Sequence, residues 1–286
     1  MAIDTAFLSQ LNRFSLIVNK RVTSRYIGER KSVFSGRGIV FKDHRIYAPG
    51  DDIRSVDWKV YARTDDLYVK RYEEERNLAV HIIVDQSASM GFGSPVPKFD
   101  FAAMLGLGFA YLSMKENEKF QFATFSDSLE MFRPRKGMNQ LAAMLIHLNT
   151  AKTKGTSNFL DAVTKYRKLV SSRSFIVIIS DFLFPINQIE QALFTLGSAH
   201  QIKVIQVLDR VERDMLLEGD LRLKDSESAL QLRTFVSQRL RGEYRTALDD
   251  HIARLNHLCG QLGIEFYSVT TDTPIFDVFF DTLKER

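Results

Sequence analysis

The chain has 286 residues, 45% of them hydrophobic and 26% charged, an ordinary balance for a globular protein and enough length to bury a sizeable core. A single cysteine, Cys259, excludes an internal disulfide framework and makes the cytoplasm the expected compartment. The net charge of +4 is mild, and the longest apolar stretch, residues 101–112, is too short for a bilayer and is broken by Gly106 and Gly108, so no membrane insertion is expected.

In chain order, residues 1–34 read as a basic helical arm. Leu8, Leu11, Phe14, Leu16, Ile17 and Val22 predict one or two amphipathic helices. Asp4 near the start, with no basic cluster ahead of an apolar core, argues against a secretory signal. Residues 1–37 hold seven basic side chains (Arg13, Lys20, Arg21, Arg25, Arg30, Lys31 and Arg37) against Asp4 and Glu29. Such an arm is either a solvated helix face or a contact for nucleic acid, an anionic membrane surface or an acidic partner.

Residues 35–76 are dense in turn formers and charges and read as a small β-rich lobe, with short strands at 39–41 and 67–72. Ala48-Pro49-Gly50-Asp51 is a turn, Pro fixing φ and Gly accepting positive φ. From residue 77 to residue 286, strands and helices alternate. Strands are expected at 78–84, 120–125, 129–134, 174–179, 204–208 and 265–269, and helices at 99–115, 138–148, 158–170, 186–196, 238–262 and 274–284. Residues 126–128 join a hairpin at an antiparallel edge, and residues 220–236 form a polar hairpin insertion. This order predicts an α/β fold, a doubly wound, mostly parallel sheet covered on both faces.

Three loops fall at the carboxyl ends of such strands or follow their helices: Asp85-Gln86-Ser87-Ala88-Ser89, Gly155-Thr156-Ser157 and Ser180-Asp181. In open α/β sheets, ligands bind at that edge. All three loops offer oxygen donors, which suit Mg²⁺ or Mn²⁺, whereas Zn²⁺ would want a His or Cys grouping. With Asp85 and Asp181 as the formal charges, a divalent ion held mainly by hydroxyls would stay electron-poor and seek an outside carboxylate or phosphate. The plain alternative for Asp-x-Ser-x-Ser is helix capping.

The Asp-x-Ser-x-Ser loop, followed in order by Thr156 and Asp181, resembles the metal-ion-dependent adhesion site of von Willebrand factor A domains. That resemblance implies Ser87, Ser89 and Thr156 as metal ligands, with Asp85 and Asp181 close by, and Ser157 as a stand-in for Thr156. Phe182 follows Asp181 where the adhesion domains usually have Gly, a departure in the third loop. Upstream, Phe41-Lys42-Asp43-His44-Arg45, Pro49-Gly50-Asp51-Asp52-Ile53-Arg54, Asp57-Trp58-Lys59, Ala62-Arg63-Thr64, Lys70 and Glu73-Glu74-Glu75-Arg76 resemble the signature of the domain-of-unknown-function family fifty-eight, over roughly residues 30–215. The resemblance implies a von Willebrand A-like domain acting beside a MoxR-type AAA+ ATPase, and a likeness to the family's short branch without membrane helices.

Within the lobe, Arg45, Asp51, Asp52, Arg54, Asp57, Trp58 and Arg63 are candidate partner contacts, the alternative being an internal ion-pair network, with Trp58 anchoring a core or a lobe interface. Cys259, between Leu255 and Leu262, is expected to be a buried small hydrophobe. The stripe Phe276, Phe279, Phe280 and Leu283 is expected to dock a terminal helix on the core. The leading functional expectation is a non-enzymatic, metal-dependent protein-interaction module. Two others stay open. One is a phosphatase-like hydrolase with Asp85 as nucleophile, against which Ser87 stands where such enzymes carry a second Asp. The other is nucleic-acid binding through the basic arm, which no recognised binding motif accompanies.

Overall fold

A-V-H-I-I-V-D, Ala79–Asp85, is the strand from which the larger part of the molecule is built. The computed structural model describes residues 7, 9–12, 39–74, 79–133, 137–170, 173–226 and 231–283. The basic arm therefore lies outside the described residues except for Phe7 and residues 9–12, which are helical; Glu75 and Arg76 lie outside as well. The chain divides into two compact units, one of residues 31–78 and one of the remainder.

In the smaller unit, β1 (Ile39–Ile46) pairs antiparallel with β2 (Tyr68–Glu74), with an irregularity between Phe41 and Asp43. The expected turn closes with the Asp51 N–H on the Ala48 carbonyl at 3.0 Å, and Gly50 takes φ +107. Between the strands stand a short 3-10 turn, Ile53–Ser55, and a helix, α1 (Trp58–Thr64), which the turn-rich sequence does not advertise. Asp52 and Asp57 cap their N-termini by accepting from the Arg54 and Lys59 N–H groups. Among the described residues of this unit, Val56 and Val69 are the buried apolar side chains.

In the larger unit, β3 (Ala79–Asp85), β4 (Phe120–Phe125), β6 (Ser174–Ser180), β7 (Gln201–Leu208) and β10 (Glu265–Thr270) are parallel, and β5 (Leu129–Met131) runs antiparallel beside β4. The order is β10-β7-β6-β3-β4-β5. Four strands are buried along nearly their whole length, as expected of a sheet covered on both faces. Alternation along β3 sends Ile82 and Val84 toward α2 (Lys98–Lys115), where Gly106 leaves their methyl groups room. Ile83 points the other way, into a cluster with Phe159, Val163 and Tyr166 of α4 (Phe159–Arg167), Ile189 and Leu193 of α5 (Ile186–Leu196), and Leu255 and Cys259 of α7 (Gln238–Gln261). Burial pushes the Cys259 thiol up to about 12, so it behaves as the expected small hydrophobe.

The α2 face is completed by α3 (Met138–Thr150) and by α8 (Ile275–Leu283), whose Phe279 ring packs over Gly108. A five-residue helix, α6 (Arg210–Asp214), follows β7, and β8 (Gly219–Lys224) pairs with β9 (Gln231–Val236) as the polar hairpin. The chain enters the sheet at β3, moves to β4, then returns to β6 on the other side. The switch point of this doubly wound sheet thus lies between the carboxyl ends of β3 and β6, at Asp85 and Ser180. Among the described residues no helix is long and apolar enough to cross a membrane.

Candidate functional site

Asp85 ends β3 fully buried, and its two carboxylate oxygens have different partners. Oδ1 accepts from the Ser87 N–H at 2.8 Å, which folds the loop back over the strand end. Oδ2 accepts from the Ser180 hydroxyl at 2.6 Å and, at a longer 3.4 Å, from the Ser157 hydroxyl. Burial, then the nearby charge of Asp181, raise its pKa well above the ordinary carboxylate range, against the opposing pull of the Ser180 and Ser87 hydrogen bonds. Ser87 and Ser89 share a hydrogen bond between hydroxyl oxygens 3.0 Å apart, and Ser87 opens a 3-10 turn over Ala88–Gly91.

The second loop is stitched to the first through its backbone. The Ala88 N–H donates to the Gly155 carbonyl at 3.0 Å, the Lys154 N–H to the Gln86 carbonyl at 3.1 Å, and the Gln86 side-chain amide to the Lys152 carbonyl at 2.9 Å. Thr156, however, faces outward. Its N–H and hydroxyl both donate to Asp127 Oδ1, at 2.7 and 2.9 Å. Its neighbour Ser157 supplies the hydroxyl that reaches Asp85.

The third loop is shaped by Phe182, which holds φ +50 at a position where Gly would be free of strain. Three contacts hold it there: its N–H donates to the Ser180 hydroxyl at 3.1 Å, its carbonyl bonds His251 Nε2 at 2.7 Å, and its fully buried ring packs edge-on against Phe159. Asp181 is buried beside Asp85, and its Oδ2 accepts from the Lys98 ammonium at 2.9 Å. Lys98 is also fully buried and reaches both oxygens of Glu212, at 3.0 and 2.9 Å. Burial alone would lower the Lys98 pKa; Asp181 and Glu212 outweigh it and hold it above the ordinary value. Burial raises Glu212, with Lys98 opposing.

The donor set therefore fits a hard cation on two sides and resists it on the third. Asp85, Ser87, Ser89 and Ser157 gather carboxylate and hydroxyl oxygens at one edge of the sheet, the chemistry Mg²⁺ or Mn²⁺ takes. Thr156 is engaged by Asp127, and Asp181 by Lys98. Among the described residues no group of three or more His, Cys, Asp or Glu is placed to hold a metal, so a cation here would depend on hydroxyls.

In the lobe, most of the charged candidates have partners within the lobe itself. Arg45 bonds Asp51 at 2.7 Å, and Asp57 accepts from His44 at 3.0 Å with Lys70 at 3.4 Å. The His44 hydrogen bond, then the Lys59 N–H and Lys70, outweigh desolvation and hold Asp57 down to about 2. Arg63 donates to the Lys59 carbonyl, and Asp52 serves as a cap. Arg54 is exposed. Trp58 does not anchor the core of the lobe: it is 55% exposed, edge-on to Tyr61.

The family described as "Protein of unknown function DUF58" matches residues 43–254. The chain belongs to this family. It is similar to the uncharacterized protein Rv1480 of Mycobacterium tuberculosis, 28% identical over 275 residues that cover 94% of this chain and 86% of that one. Among solved structures it is similar to BatB from Bacteroides thetaiotaomicron, 13% identical, with a TM-score of 0.47 over 72% of this chain and 98% of that one. It is also similar to a von Willebrand factor type A protein from Catenulispora acidiphila, 9% identical, with a TM-score of 0.45 over 76% of this chain and 43% of that one.

Sequence reasoning missed four participants of this DUF58 site: Lys98, Asp127, Ser180 as a tether, and Glu212. Glu212 alone carried a local signal, since Asp209 and Glu212 form a capping box at α6. Lys98 and Ser180 stand 83 and 95 residues from the carboxylates they bind, beyond any local pattern.

Proposed function

We propose that this DUF58 chain is a non-enzymatic, metal-dependent protein-interaction module. Asp85, Ser87, Ser89 and Ser157 would hold Mg²⁺ or Mn²⁺ at the switch point of the sheet, with Thr156 and Asp181 as its outer neighbours. The ion would supply an electrophilic position that an acidic side chain of a protein partner completes. The resemblance of the upstream signature favours a MoxR-type AAA+ ATPase as that partner, in assembly or maturation of a larger complex. The observation that carries the reading is the hydroxyl pair of Ser87 and Ser89, 3.0 Å apart on a loop that buried Asp85 holds in place.

The same geometry sets Asp85 to work as a tether. A nucleophilic carboxylate must meet substrate, whereas this one is fully buried with hydrogen bonds to both oxygens. The exposed apolar residues of the lobe, Ile46, Ile53 and Trp58, offer the same partner a second contact.

Titration calorimetry with Mn²⁺, paired with capture of a MoxR-type ATPase in the presence of Mg²⁺ or of chelator, tests the proposal. Ser89→Ala removes a half-buried hydroxyl without unseating Asp85, and is expected to weaken Mn²⁺ binding and capture together. Undiminished capture in chelator and in Ser89→Ala overturns the reading.

A further inference from the structure

Lys98 is a fully buried ammonium at the first position of α2, and a buried cation is tolerated only when it is well paired. Its partners come from two different loop ends. Asp181 follows β6 and lies 2.9 Å away; Glu212 sits in α6 after β7, with both oxygens within 3.0 Å. One ammonium thus bridges two carboxylates, Asp181 and Glu212, and Asp181 in turn repels the charge of Asp85. Glu212 is fixed independently, because its side chain also accepts from the Asp209 N–H in the capping box of α6. It therefore stays in place to receive the ammonium if Asp181 turns away.

We propose that Lys98 is the residue that sets this site's cation affinity, an internal competitor that holds Asp181 closed against a divalent ion and releases it by settling wholly on Glu212. The inference rests on the metal reading of the preceding section and adds its regulation. While the ammonium bridges both carboxylates, an ion on the Ser87–Ser89 side lacks Asp181, whose charge Lys98 already neutralises. Its affinity is then low. When an acidic group from the partner joins the ion, the added negative charge favours the arrangement in which Lys98 pairs with Glu212 and Asp181 turns to the ion. Cation and partner thus bind cooperatively, each weakly without the other.

Two variants separate this role from simple structural support. Lys98→Met with Glu212→Gln removes one positive and one negative charge, keeps the side-chain volumes and leaves Asp181 for the cation. Its Mn²⁺ affinity is expected to exceed the wild type's by about tenfold or more, the scale of one like charge at short range in a partly buried site. Glu212→Gln alone leaves Lys98 with Asp181 as its one charged acceptor and is expected to weaken Mn²⁺ binding by about threefold to tenfold. Loss of packing or hydrogen bonds would move both variants the same way; competition moves them in opposite directions. Calorimetry with Mn²⁺ reads both, with circular dichroism confirming the fold. Should the double variant fail to fold, Lys98→Gln with Glu212→Gln takes its place, with the same expected gain set against the loss in Glu212→Gln. Wild-type binding of Mn²⁺ with unchanged affinity in the variants, or weaker binding in the double variant, overturns the role of Lys98 and leaves the metal reading standing. Absence of Mn²⁺ binding in wild type and variants alike overturns both.

Discussion

Replacing Ser180 by Ala tests the tether that positions the candidate site. The Ser180 hydroxyl is fully buried; it donates to Asp85 Oδ2 at 2.6 Å and accepts from the Phe182 N–H at 3.1 Å. The first interaction is a hydrogen bond to a carboxylate, a class worth about 1.5–3 kcal/mol, and the second leaves a buried N–H without this acceptor, at about 1–3 kcal/mol. Both losses come from one atom and overlap, so Ser180→Ala is expected to cost about 3 kcal/mol. Phe182 holds φ +50 partly through that N–H contact, so the third loop should also loosen. Urea unfolding followed by circular dichroism measures the first effect, and hydrogen exchange at Phe182 and Leu183 the second. A stability change under about 0.5 kcal/mol with unaltered exchange would refute the reasoning, since it would mean Asp85 and Phe182 are held without Ser180.

At Gly108 a Cβ would lie 1.9 Å from the Phe279 ring, so Gly108→Ala is expected to destabilise by about 1–3 kcal/mol despite the better helix propensity of Ala. Thermal melts should show the loss and a partial recovery with Phe279→Leu. Burial, then His200, lower the His81 pKa to about 4 from 6.5, while its Nδ1 bonds the buried Tyr166 hydroxyl at 2.7 Å. Below pH 6.5 the unfolded chain takes up a proton that the folded chain refuses. Stability therefore falls from pH 6.5 down to about 4, by about 3 kcal/mol from this group, and a His81→Phe/Tyr166→Phe variant should show a correspondingly shallower loss in urea titrations. Ser157→Ala is expected to weaken Mn²⁺ binding more than Thr156→Val, and the reverse order would place the ligand at Thr156.

The sheet was legible because β3, β4, β6 and β7 are written as apolar runs between polar loops. Residues 120–125 and 186–196 form the elements expected of them, with the same ends. The start of β7 was not legible: Lys203 interrupts the apolar run, yet it is buried in mid-strand because Glu265 and the Thr282 carbonyl take its ammonium. The helices α1 and α6 have seven and five residues, too few to show a helical period, and only their capping aspartates marked them. In the candidate site, the gathering of Asp85, Ser87 and Ser89 on one loop was readable because the motif is local. Lys98 looked like the first basic residue of a helix; it is a buried ion-pair partner because β6 and β7 bring Asp181 and Glu212 to it.

The choice between Thr156 and Ser157 shows how far the hydroxyl site depends on its neighbour. The two are adjacent on a non-helical loop, and one faces Asp85 while the other faces Asp127. Gly155 settles which: it takes φ +76, and a Cβ there would stand 2.0 Å from an Asp127 carboxylate oxygen, so only glycine lets the loop approach the turn between β4 and β5 so closely. That approach gives Asp127 both the N–H and the hydroxyl of Thr156. Turning the Thr156 hydroxyl inward would forfeit a hydrogen bond to a carboxylate, about 1.5–3 kcal/mol, whereas Ser157 already faces Asp85 over a long 3.4 Å contact that a bound cation would replace at small cost. The edge hairpin, through Asp127, thus selects which hydroxyl faces Asp85, and Lys98, through Asp181, would set how much charge accompanies it at the proposed site.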